Sequence, residues 1–149
     1  MQQEIQPDPA GPAAGPAAAY QAQQRSSAVG LSIPAERDQV VLVRSVASHI
    51  GSRLGLSVAQ ITDLRLAVDE ACGLFLLSDD FTALLLECRF EELPDTLRIT
   101  VSAVVPPTVE PDVDDIGWIM LGSLVDELSW QVSGDIGTVT LLIRHAREA

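Results

Sequence analysis

The sequence predicts an α+β fold, a two-layer sandwich with a mostly antiparallel sheet and helices on one face. Two helical periods follow a short strand, two hairpin-like pairs of strand runs come later, and a third helical run separates those hairpins. Helices and hairpins that are each apolar on one side bury those sides by stacking as two layers. The chain has 149 residues, of which 47% are hydrophobic, enough for one domain with a real core and a tail.

Residues 1–29 are rich in Pro, Ala, Gly and Gln, with Tyr20 as the single aromatic. They show no hydrophobic period and too little apolar bulk to offset ordering, so a disordered tail is expected there, with the domain over 30–146. Leu31-Ser-Ile-Pro34 reads as a short edge strand, because proline cannot donate to a central ladder. Val40, Val43, Ala47, Ile50 and Leu54 recur at steps of three and four and predict a first helix. Gly55 is its natural stop. Ser57-Val-Ala-Gln60 is a capping-box pattern that opens a second helix, with Val58, Ile61, Leu64, Val68, Ala71 and Phe75 as its buried stripe. That helix is expected to fray near Ser78-Asp79-Asp80.

Two strand-like runs follow, 82–90 and 97–101, joined by the turn chemistry of Glu91-Glu-Leu-Pro-Asp95. Three prolines between Val104 and Pro111 exclude regular structure. A third helix is expected over Ile116 to Leu128, with Ile116, Met120, Leu121, Leu124 and Leu128 inward. Leu128 to Val132 and Gly137 to Ile143 read as a closing strand pair.

Composition narrows the function. The net charge is −12 and the nine basic residues are all arginine. Such a balance argues against binding a phosphate backbone and favours protein partners with basic or apolar surface. No run approaches the roughly 18 apolar residues of a membrane span, and the N-terminal residues lack the pattern of a secretory signal. A cytoplasmic location is therefore expected, with no membrane and no nucleic acid as partners. Cys72 and Cys88 are too few for a disulfide framework and read as small buried apolar residues. His49 and His145 lack metal-ligand spacing and read as surface residues, so no metal site is expected.

Ile33-Pro-Ala35, the run Val40 to Leu54, Leu66-Ala-Val-Asp-Glu-Ala-Cys72, Leu124-Val-Asp-Glu-Leu128 and Gly137-Thr138 together resemble the anti-sigma-factor serine kinases. These are small bacterial members of the histidine-kinase-like (GHKL) ATPase superfamily, and the resemblance spans residues 31–145. It implies a Bergerat-type ATPase fold and a dimer. It also implies a regulator that holds a sigma factor away from RNA polymerase and phosphorylates a serine on an antagonist protein.

Residue by residue, the resemblance places a partner-binding arginine at Arg44, which lies off the buried stripe of its helix and is expected to face solvent. It places the catalytic base at Glu70 and nucleotide-facing remnants at Gly117 and Thr138. Three pieces depart from the pattern. The asparagine that holds magnesium, one turn beyond the base, is Leu74, which has no oxygen for a hard cation. The adenine-reading aspartate and its glycine turn align with Ala103 and Val105, followed by Pro106-Pro107. The glycine-rich lid is reduced to Gly117 among Asp112, Asp114 and Asp115, whose charge opposes a triphosphate.

A degenerate member is therefore expected: an anti-sigma-factor-like regulator that sequesters a protein partner, homodimeric or heterodimeric, with no cofactor. The alternative is a working serine kinase using ATP and magnesium, with Glu70 as base. Trp118 is expected to fill the space that a nucleotide takes in relatives, and Trp130 to be a core or interface aromatic.

Overall fold

The computed structural model of the chain describes residues 28–76, 84–106 and 109–145. Residues 1–27 of the expected tail, Tyr20 among them, lie outside the described residues, as do Ser78-Asp79-Asp80, Thr82 and Pro107. The elements are β1 (Ala28–Pro34), a 3-10 turn (Arg37–Gln39), α1 (Val40–Arg53), α2 (Val58–Leu76), β2 (Leu85–Glu92), β3 (Thr96–Val104), α3 (Ile116–Leu124), β4 (Glu127–Ser133) and β5 (Ile136–Arg144). The sheet is antiparallel throughout, in the order β1-β2-β3-β5-β4, and the helices cover one face. The expected two-layer α+β sandwich is the fold observed.

β1 is an edge strand, as Pro34 requires, but it starts at Ala28, inside the segment assigned to the tail. Alternation along the sheet sets its two faces. Leu86, Cys88, Phe90, Leu97, Ile99, Val101, Val139 and Leu141 are buried under the helices. Ser102, Thr138 and Thr140 share the opposite face with Glu87 and Arg98.

α1 buries Val40, Val43, Ala47 and Ile50 on the predicted stripe. It ends in a complete Schellman motif. Gly55, at φ 77°, donates to the Ser52 carbonyl, and Leu56 N–H donates to the Gly51 carbonyl. The capping box at the start of α2 is also complete. Gln60 N–H donates to Ser57 Oγ at 3.1 Å, and Ser57 N–H donates to Gln60 Oε1 at 2.8 Å.

Two helical expectations need correction. Val58 is 84% exposed, because the first turn of α2 lies beyond the edge of the core. α3 stops at Leu124, not Leu128, and only Leu121 is fully buried on it. Val125 turns extended and Asp126 N–H pairs with the Leu142 carbonyl, so Leu128 is an inward residue of β4. Ile116 and Met120 point outward.

No helix among the described residues is long and apolar enough to cross a membrane, which leaves β-barrels unaddressed.

Candidate functional site

α1 and α2 pack side by side, and α3 packs across α2. Between the first two lies an open groove of about 300 Å³ lined by Arg37, Val40, Arg44, Asp69, Glu70, Gly73 and Leu76. Arg44 and Glu70 therefore face the same depression.

Arg44 lies off the buried stripe of α1, as its spacing requires, but it is not loose in solvent. Its Nε is 3.0 Å from Asp69 Oδ1 on α2, and both side chains are about one third exposed. The Nε is sealed from water and its N–H is not aligned with an acceptor, so the link is a charge contact rather than a directed hydrogen bond. A partly exposed pair of this kind contributes about 0.2–1 kcal/mol. Nothing in the sequence alone marks Asp69 as the partner of Arg44. It follows Val68 on the buried stripe, on the flank of α2 that faces Arg44.

Glu70 is half-buried and sits against the start of α3. A Cβ built on Gly117 would lie 3.1 Å from Glu70 Oε2 and 3.0 Å from Asp115 Oδ2. Asp115 caps α3, accepting from Gly117 N–H at 3.1 Å, and Asp112 Oδ1 accepts from Asp114 N–H. The fold thus brings Glu70 and Gly117 together, with a second carboxylate at the same point. Thr138 is not part of this cluster. It lies on the helix-free face of the sheet, paired with Ser102 and Gln131.

The positions that depart from the resemblance carry apolar side chains. Leu74 packs against the core one turn along α2, and Ala103 and Val105 are buried. Gly137 faces inward, where a Cβ would come within 2.6 Å and 2.9 Å of the Trp130 ring and 2.8 Å of Val105. The ring of Trp130 therefore lies directly on the sheet backbone, with its centroid 5.7 Å from that of Phe75. Trp118 is half-buried against the same core. The close stacking over Gly137 belongs to Trp130 and not to Trp118. The signal available was a glycine on β5 where a period-2 strand calls for a side chain.

Cys72 and Cys88 are free and buried, one on α2 and the other on β2. A hydrogen bond to Cys88, then burial and the nearby Asp69 charge, push the Cys72 thiol far above its ordinary range. Among the described residues, no group of three or more His, Cys, Asp or Glu side chains could hold a metal ion.

The architecture is an α+β sandwich consistent with a histidine kinase-like ATPase fold, with the acidic turn Asp69-Glu70 of α2 at its groove. In comparisons with known proteins, the chain is similar to the anti-sigma-F factor RsbW of two Mycobacterium tuberculosis strains, CDC 1551/Oshkosh and ATCC 25618/H37Rv. Each match is 29% identical over 138 residues and covers 80% of this chain and 74% of the relative. No protein-family model matches the chain.

Proposed function

We propose that the protein is a regulator of the anti-sigma-factor type that acts by sequestering a protein partner, without phosphoryl transfer at the groove beside Glu70. Similarity to the two anti-sigma-F factors supports the regulator, and makes a sigma factor the first partner to try and a cytoplasmic location the matching one.

One observation carries the claim about the groove. Glu70 and Asp115 bring two carboxylates to Gly117, and the next turn of α2 offers Leu74 in place of an oxygen ligand. Phosphoryl transfer depends on positioned cations and donors that neutralise the phosphates. Mg·ATP does not fit these residues. Carboxylates at the start of α3 repel the phosphates, and leucine cannot bind the metal. In this reading Arg44 meets an acidic group of the partner, exchanging Asp69 for it, and Glu70 is a groove carboxylate and not a base.

A working serine kinase is the second reading, favoured by the retention of Glu70 beside Gly117. Thermal melting with and without Mg·ATP separates the two. A nucleotide at 100 times its dissociation constant stabilises by about 2.7 kcal/mol, so an unchanged melting temperature at millimolar Mg·ATP is expected, and a clear rise supports the kinase. Co-purification with candidate sigma factors tests the partner. Arg44→Ala is expected to weaken that complex by no more than about fivefold, because the partner's acid replaces an ionic link worth only about 0.2–1 kcal/mol, and an unchanged complex removes Arg44 from the interface.

A further inference from the structure

The outward face of α3 is apolar and uncovered. Ile116 is 75% exposed, Ile119 57% and Met120 40%, and Val113 in the preceding turn is 63% exposed. Spacings of three and four put Ile116, Ile119 and Met120 on one ridge, while Trp118 and Leu121 on the opposite side meet the core. Charge brackets the ridge. Asp112, Asp114 and Asp115 precede the helix, and Asp126 and Glu127 follow it. None of these carboxylates lies within 4 Å of a cationic group among the described residues. From Ile99 to Ile143 the sequence has no arginine, lysine or histidine.

We propose that this ridge docks an amphipathic helical segment of a partner protein whose apolar stripe is flanked by basic residues. A helix laid on an exposed apolar ridge is read through anchors at i, i+3, i+4 and i+7. The acidic ends fix its orientation and speed encounter.

Charge excludes the other occupants. A second copy of this chain, at −12, brings the same acidic ends to the same place. Anionic lipid is repelled for the same reason. Residues 1–27 carry Glu4 and Asp8 against Arg25, so they supply no basic flanks. The docking uses neither Arg44 nor the groove, so it stands apart from the function proposed above.

The test uses the full chain and two labelled synthetic peptides of identical Leu/Lys composition. One is periodic as an amphipathic helix and the other is scrambled. Fluorescence anisotropy is expected to show the periodic peptide binding about tenfold more tightly than the scrambled one. Ile116→Ser with Ile119→Ser should erase that preference at unchanged charge, and Met120→Gln should reduce it. Val58→Ser, at an equally exposed apolar position elsewhere, should leave it intact. Circular dichroism of every variant checks the fold. Equal binding of the two peptides, or a preference that survives the double substitution, overturns the proposal. So does sedimentation showing a dimer that the double substitution dissociates, which makes the ridge a self-interface.

Discussion

At Gly137 a single methyl group decides whether Trp130 can lie on the sheet. A side chain there meets the indole ring and Val105 at distances no real Cβ tolerates. Gly137→Ala is expected to destabilise by about 1–3 kcal/mol, the usual range for overpacking, as measured by urea denaturation. A neutral result would mean that the ring has somewhere else to go. The buried thiols give a second residue-level prediction. The folded chain holds the Cys72 proton well above the ordinary value of 9.0, whereas the unfolded chain releases it near that value. The unfolded state therefore binds fewer protons in alkali. This contribution is complete below pH 9 and is lost as the pH rises beyond it. A urea midpoint that falls more steeply above pH 9 in the native chain than in Cys72→Ala is the expected sign. Single residues were only partly legible in the sequence. The burial of both cysteines could be read from their type, and the groove position of Glu70 from its motif. The Arg44–Asp69 contact could not, because it depends on how two helices face each other across the chain.

Elements with local signals were readable, and their ends were readable where a cap sits. Ser57, Gln60 and Gly55 mark their boundaries by hydrogen bonds that involve neighbours in sequence. Ser57→Ala removes the acceptor for Gln60 N–H and is expected to cost about 0.5–2 kcal/mol. Equilibrium denaturation checks it, and a loss well below this range would show that water serves the first turn of α2 equally well. The end of α3 was not readable, and the reason is specific. Leu121, Leu124 and Leu128 satisfy a helical period, while Leu128, Trp130 and Val132 satisfy a strand period. Leu128 belongs to both patterns, and the ladder between Asp126 and β5 decides for the strand. Alternation made both hairpins legible, but the pairing of β3 with β5 joins strands from different hairpins and has no local trace.

Over the whole molecule, charge is the dominant fact. A net −12 on a chain of 149 residues opposes the compact state by self-repulsion, and salt screens it. Raising sodium chloride from about 20 mM to about 150 mM, where the Debye length falls to about 8 Å, is expected to raise the melting temperature. Calorimetry at the two ionic strengths measures it, and a flat or falling value would show the carboxylates to be locally compensated. The α+β class was legible because hydrophobic periods average over many residues. The groove was less so, since its walls come from segments that meet only after folding.

Arg44 comes to any visitor already engaged. The fold holds Asp69 beside it, so an outside carboxylate that reaches this point swaps one ionic link for another of similar worth. Such a swap distinguishes molecules that carry an acid at the right place from those that do not, yet adds little to residence time. A surface organised this way suits quick turnover between competing occupants better than permanent capture.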